Sequence, residues 1–375
     1  MTTTRTDWRA LLAEVPRESF LPDVIWTNGE IPRTFVSVSR AEDPQLWAEL
    51  VERDDAVIIQ VDDGEVEPGG LGVLPTSSAS APSVVVGMLE ATDLRPGQAV
   101  LEIGTGTGWN AALLSRRIGE GGRVVSIEVD PAVAAAARRA LAGYPSVRVI
   151  TGDGEAGHPP GAPYDRVLAT VGVRTVPRAW LAQTRPGGLV VLPWDTGYSG
   201  GSLLRLRVAG DGTAAGRFGG YYAFMRLRSQ RRFLAVADGE DLPLERADRA
   251  VTTVTGYQVY QMMSADQAAF TIGLLLPDTC GLYEEDRRGD YHHVVELHDH
   301  RSGSWAQVDV NLDHDSRFDV YQYGSRRLWD EALAGFRWWH DHGEPGVDRY
   351  GMTITPRAQT VWLDDPGGEH RWVVG

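Results

Sequence analysis

No lysine occurs in the 375 residues, so all 36 basic side chains are arginine, set against 51 acids. The formal charge is −15 at pH 7. An acidic chain is a poor match for a phosphate backbone, so no nucleic acid is expected among its partners. The exclusive use of arginine reads as compositional bias, although guanidinium forks also suit bidentate carboxylate contacts. Cysteine is almost as scarce. Cys280 stands alone, which rules out an internal disulfide and predicts a reducing, cytoplasmic setting. No apolar run approaches a membrane span, and Met1 to Trp8 lacks the apolar core of a signal peptide. No membrane partner is expected. A hydrophobic content of 42% allows a full core, and the length admits two domains or one domain with a large extension.

What is present centres on Ala99-Val-Leu-Glu-Ile-Gly-Thr-Gly-Thr-Gly-Trp-Asn110. It reads as a buried parallel strand that runs into a glycine loop and then a helix. A dinucleotide fingerprint needs glycine at the first, third and sixth loop places, and the sixth is Trp109. The Gly-Lys-Ser/Thr ending of a P-loop is also missing. The remaining pattern, Glu102 two residues ahead of Gly104, Gly106 and Gly108, suits S-adenosylmethionine (SAM), which has an ammonium and a cationic sulfonium.

Strand and helix patterns alternate from Ser83. Strands are expected at 100–103, 123–129, 147–151, 166–170 and 189–192, then at 203–208 and 219–225, the last two antiparallel. Helices are expected at 83–93, 110–117, 131–141 and 177–183. This alternation predicts an α/β fold: a doubly wound, Rossmann-like sheet with ligands outside the carboxyl ends of its strands. Three parts follow. Residues 1–82 form an N-terminal helical segment and substrate loop, with helices near 7–15 and 44–53, a strand at 56–61 and a long Gly/Pro/Ser loop at 62–82. Residues 83–232 form the SAM-binding core. Residues 233–375 form an α+β accessory domain expected to recognise peptide.

Acids end successive strands beside the glycine loop. Glu128 closes the second strand, where a carboxylate accepts from both ribose hydroxyls. Asp153, in Gly152-Asp-Gly154, follows the third, placed for an adenine amino group. The fourth ends at Thr170 without the Asn/Asp-Pro-Pro-Tyr/Phe turn of amino-methylating enzymes, and no cysteine lies near for a covalent route. A carboxylate acceptor, ionised at neutral pH with a pKa of about 4, needs neither.

The chain resembles the protein-L-isoaspartate O-methyltransferases over roughly residues 7–230. Val15-Pro-Arg-Glu-Ser-Phe-Leu-Pro22 matches their Val-Pro-Arg-x-x-Phe-Val-Pro, and Ser80-Ala-Pro82 matches their Ile-Ser-x-Pro. Further matches are Val100 to Leu114, Gly152-Asp-Gly154 with Ala162-Pro-Tyr-Asp165, and Val176-Pro177 with Gln183-x-x-Pro-Gly-Gly188. Phe224-Met-Arg-Leu227 stands for Phe-Val-Pro-Leu. The resemblance implies a cofactor site of Glu102, Gly104, Thr105, Gly106, Gly108, Asn110, Glu128, Val129, Asp153, Gly154 and Thr170, with S-adenosylhomocysteine (SAH) as product. It also implies Ser80, with Pro82, as the catalytic serine at the acceptor; Ser78, an alternative to Ser80, and Arg226 and Arg228, from their local charge, complete the expected acceptor site.

Two departures shape the expectation. Pro75-Thr-Ser-Ser-Ala79 replaces the usual Gly-Gln-Thr-Ile region, and Ser83 replaces a histidine. With its long C-terminal part, the chain is similar to relatives that accompany ATP-grasp (graspetide) and lanthipeptide enzymes. Pro22 to Trp26, Trp329 and Arg337-Trp-Trp339 share that likeness. It implies methylation of an aspartate in a pre-cyclised precursor peptide, the ester then closing to an aspartimide. Repair of isoaspartyl damage is the alternative, and a non-catalytic SAM-binding scaffold for a peptide ligase is a third. The Tyr291–His300 run reads as a polar strand rather than a zinc site, and Trp338-Trp339 as helix packing. Arg226, Arg228, Arg231 and Arg232 make a local positive cluster suited to acceptor carboxylates.

Overall fold

The computed structural model describes residues 8–198, 200–231, 242–264, 266–285, 292–311 and 317–374. The expected 232/233 boundary, Arg232 and Tyr291 lie outside them. Among the described residues no helix is long and apolar enough to cross a membrane.

The core follows the alternation. β5 (Ala99–Ile103), α4 (Trp109–Ile118), β6 (Arg123–Glu128), α5 (Pro131–Ala140), β7 (Val147–Thr151), β8 (Tyr164–Ala169), α6 (Arg178–Ala182) and β9 (Thr184–Asp195) follow α3 (Pro82–Ala91). Their strands pair in parallel in the order β9-β8-β5-β6-β7. This is a doubly wound sheet with its order reversing at β5, so the glycine loop opens at the switch point. Successive β5 residues face opposite layers, as strand alternation requires. Val100 packs with Met88 and Leu113 on one side, and Leu101 with Trp180 on the other.

The N-terminal part is more sheet than helix. α1 (Trp8–Glu14) and α2 (Pro44–Glu52) accompany β1 (Val24–Asn28), β2 (Phe35–Ser39), β3 (Val57–Val61) and β4 (Pro75–Ala79). These four strands form an antiparallel sheet ordered β2-β1-β3-β4. The expected loop at 62–82 therefore contains an edge strand. Pro, Ser and Thr read as turn formers because β4 has no apolar face of its own and takes its order from pairing with β3.

After β9 the chain makes β10 (Gly201–Val208) and β11 (Ala214–Tyr221), both antiparallel. The expected strand at 219–225 ends early, and Phe224 to Leu227 crosses the sheet's carboxyl end as irregular chain. β12 (Asp248–Thr252), β13 (Thr279–Glu285), β14 (His292–Asp299), β15 (Ser304–Asn311) and β16 (Phe318–Tyr323) form a second antiparallel sheet. Its inner face packs on α7 (Gly256–Met263), α8 (Ala269–Leu275) and α9 (Leu328–Asp341). Trp329 and Trp339 are buried there, and Trp26, on β1, is buried as well.

The last three strands depart from the expected partition. β17 (Tyr350–Ile354), β18 (Gln359–Leu363) and β19 (Arg371–Val374) return to β11 and extend the core sheet to ten strands. Phe270 of α8 meets Trp194, Phe218 and Tyr350 in one aromatic cluster. Residues 350–374 thus belong to the sheet that carries the glycine loop, and 233–375 is not a detachable module. Met352 is fully buried in that core. Met352→Ala is expected to cost about 2–5 kcal/mol in one cooperative denaturant transition. A separate C-terminal transition that leaves the core's unchanged would contradict this continuity.

Candidate active site

A cleft open to solvent lies between the carboxyl ends of the parallel strands and β4. The glycine loop forms one wall. Gly106 sits at φ +52°, and a Cβ there would lie 3.2 Å from the Ser78 carbonyl. The loop therefore approaches β4 closely, and a side chain there would crowd the Ser78 carbonyl besides having to adopt a positive φ.

Two buried carboxylates hold this wall. Glu128 Oε2 accepts from the Gly106 N–H at 2.9 Å, and its Oε1 from the Asp130 N–H at 3.1 Å. Burial nevertheless raises the Glu128 pKa, outweighing these two bonds. Glu102 is fully buried. Its Oε1 accepts from Asn110 Nδ2 at 2.6 Å, and its Oε2 accepts from the Ser126 hydroxyl. Ser126 lies 2.6 Å from the Thr105 hydroxyl, which completes the chain of polar contacts. Asp153 accepts from the Glu155 N–H at 2.9 Å, which aims the turn after β7 at the cleft. Trp180 Nε1 anchors that turn through the Gly154 carbonyl at 2.8 Å. The Thr170 hydroxyl lies 2.6 Å from the Gly104 carbonyl.

Most of the expected site converges. Gly104, Thr105, Gly106, Asn110, Glu128, Val129, Asp153, Gly154, Thr170, Ser78, Ser80, Arg226 and Arg228 all line the cleft. Three expected residues do not. Glu102 lies beneath the loop and reaches the cleft through Asn110 and, by way of Ser126, through Thr105. Gly108 (φ +88°) precedes α4, where a Cβ would come within 2.9 Å of Leu141, so packing accounts for it. Pro82 opens α3, the position its fixed φ favours.

The arginines are already engaged. Arg226 pairs with Asp195. Arg228 and Arg231 both pair with Asp63, at 2.9 and 2.8 Å. Sequence reading missed Asp63, and also Gln60 and Thr76, which tie β3 and β4 to Asp130. The Asp-Asp-Gly turn at 62–64 was the available signal. On β14, His298 contacts Glu296 at 3.2 Å, and no three metal-ligating side chains converge among the described residues.

Residues 70–227 match the family model described as Protein-L-isoaspartate(D-aspartate) O-methyltransferase. A protein-L-isoaspartate O-methyltransferase of Pyrococcus horikoshii is 41% identical over 40% of this chain and 67% of its own length. One from Archaeoglobus fulgidus is 38% identical over 42% of this chain and 72% of its own. The chain belongs to the protein-L-isoaspartate O-methyltransferase family. A relative from Ignicoccus hospitalis is 46% identical, and the chain spans only 55% of its length. A solved structure named protein-L-isoaspartate O-methyltransferase shares the fold across 96% of both chains, with a TM-score of 0.53 and 21% identity. The C-terminal extension is thus part of an architecture already seen within this fold.

The donor set fits the cofactor that the family implies. A glycine cradle that a Cβ would fill, two buried acids, and an acid at the neighbouring turn suit a cationic nucleoside. Burial pushes the Glu102 carboxyl up to about 7, with Ser126 and Asn110 opposing the rise. The folded protein thus holds this proton more tightly than the unfolded chain does. Its stabilising effect is complete below the ordinary value of 4.5 and is lost as pH rises through 7. A shift of this size corresponds to about 3 kcal/mol. Glu102→Gln is therefore expected to flatten the decline of Tm between about pH 5 and 8. Parallel declines in both proteins would place the Glu102 pKa outside that window.

Proposed function

We propose that this protein is a SAM-dependent O-methyltransferase that esterifies the α-carboxylate of isoaspartyl residues in polypeptides. The observation that carries this reading is one cleft joining the Glu128–Gly106 loop to the serine strand, within the segment the family model matches. Bound SAM would supply an electrophilic methyl group. Glu128 would take the ribose hydroxyls, Asp153 the adenine amino group, and Asn110, braced by Glu102, the amino-acid end. Ser80 would orient the acceptor oxygen. No residue need act as a base, because the acceptor carboxylate is ionised at neutral pH with a pKa of about 4. The protein's contribution is alignment and exclusion of water. Arg226 and Arg228 face the cleft holding Asp195 and Asp63, which leaves the acceptor contact to the serines. A cytoplasmic setting belongs to the same reading.

A second reading keeps the cofactor and changes the acceptor to an aspartate of a pre-cyclised ribosomal peptide, whose ester closes to an aspartimide. The observation favouring it is Pro75 to Ala79 and Ser83, which depart from the family pattern at the acceptor side. The C-terminal extension no longer favours it, because the solved structure of the same fold carries the family's own name. Isoaspartyl methylation is the better supported.

Asp153→Ala is expected to weaken SAM binding by about 1–3 kcal/mol in titration calorimetry, with the fold intact. Glu128→Ala is expected to cost at least as much, since it also strands the Gly106 N–H. Unchanged affinity in both would remove SAM from this cleft. Ser80→Ala is expected to lower turnover of an isoaspartyl peptide far more than SAM affinity. Normal turnover in Ser80→Ala, with loss in Ser78→Ala, would move the acceptor contact to Ser78.

A further inference from the structure

The cleft has a roof on a different part of the chain from its floor, and the two are joined unequally at their ends. At one end Arg17 is buried and donates to the carbonyls of Val51, Arg53, Asp55 and Ser80. Four carbonyl acceptors on a buried guanidinium make a fixed pivot. At the other end the roof reaches the core through Asp63. One of its oxygens lies 2.9 Å from Arg228 Nη2, and Arg231 Nη1 spans both oxygens at 3.0 and 2.8 Å. Both arginines line the cleft and follow the chain that crosses the sheet's carboxyl end.

This end is built to open. Asp62 and Asp63 hold consecutive left-handed conformations, φ 47° and 53°, which non-glycine residues seldom adopt. The Asp62 carboxylate fixes the turn by accepting from the Val73 and Leu74 N–H groups, each at 2.9 Å. The strained turn is thus shaped from within the roof and presents Asp63 outward. Arg228 Nε is buried without a hydrogen-bond partner among the described residues, so the contact with Asp63 leaves that donor of its fork unmet there. Asp63 is about one-third exposed, which lets water and salt compete for the pair. The neighbouring link, Gln60 to Asp130 at 3.0 Å, is a single neutral-to-charged hydrogen bond. Arg33 ties the roof to Glu284 on β13, but both side chains are well exposed and such pairs are worth little.

We propose that Asp63 is a latch: its pairing with Arg228 and Arg231 holds the N-terminal sheet closed over the bound cofactor, and cofactor exchange requires that pairing to break. This rests on the cofactor reading above. The latch positions β4, and with it Ser77, Ser78 and Ser80, against the glycine loop. Opening pivots the roof about Arg17 and separates β4 from Gly106.

The test is the SAH dissociation rate by stopped-flow fluorescence, with hydrogen exchange over residues 75–80 of the ligand-free protein as a readout independent of ligand. Asp63→Asn is expected to release SAH about tenfold faster, the change falling mainly in the off-rate. It should also speed exchange in β4 while that of β5 and β6 stays unchanged. Asp63→Glu, which keeps the charge, is expected to recover most of the slow release. Arg231→Gln should mimic Asp63→Asn, and combining the two should add less than their sum. Wild-type release should quicken at high salt and that of Asp63→Asn should not. Unchanged off-rates and exchange in both Asp63→Asn and Arg231→Gln would overturn the latch. If the wild type bound no SAH the cofactor reading would fail, and the exchange comparison would still decide whether Asp63 holds the roof.

Discussion

A buried arginine whose hydrogen bonds among the described residues all go to backbone carbonyls is the constraint on which this structure depends. Arg17 has five donors and no acceptor, and burial lowers its pKa while Asp54 and Asp55 oppose the change. Its charge is met by backbone carbonyls drawn from α2, the turn after it and Ser80, just past the end of β4. A lysine could not serve, because one ammonium cannot fork to carbonyls so far apart in sequence. Trp109 adds a second brace: its ring lies 5.9 Å from the Arg17 guanidinium, and its Nε1 donates to the Val15 carbonyl. The residue that follows the third loop glycine is thereby tied to the segment that fixes Ser80. Cofactor loop and acceptor strand are held in one frame.

Electrostatics gives that frame its preference. Two glutamates end up under or beside a dry loop, and desolvation raises both pKa values. Backbone and side-chain donors offset part of that cost without removing it, so a cation brought into the cleft relieves the remainder. The same acids would resist a dinucleotide phosphate placed at the glycine loop. Preference for a cationic nucleoside thus follows from burial and sign together, beyond the spacing of the glycines. Arginine-only composition takes on meaning here too, since every structural cation at the cleft is a planar fork that can bridge carboxylates or carbonyls.

The parallel core was legible because its strands are short apolar runs bounded by glycine and proline, and each strand's end carries the chemistry. Glu128 and Asp153 could be read from the sequence alone, since strand ends converge in any doubly wound sheet. Glu102 and Gly108 were legible as pattern, though their duty is to brace and to pack. β4 was not legible: its Pro-Thr-Ser-Ser-Ala run owes its extended form to β3, a pairing 14 or more residues distant that no local propensity reports. The return of β17 to β19 onto β11 was hidden for the same reason, being a contact across more than 130 residues. The arginine cluster was visible, but the Asp63 and Asp195 that occupy it lie far off in sequence. Non-local neutralisation has no sequence signature.

The account's central claim is that this cleft delivers a methyl group to an isoaspartyl carboxylate. The most direct measurement supplies labelled SAM and two peptides of identical composition, one with isoaspartate and one with aspartate at the same position. Base-labile label on the isoaspartyl peptide, with little on its partner, is the predicted result. Label on neither, or on a cross-linked aspartyl peptide in preference to the isoaspartyl one, would contradict it.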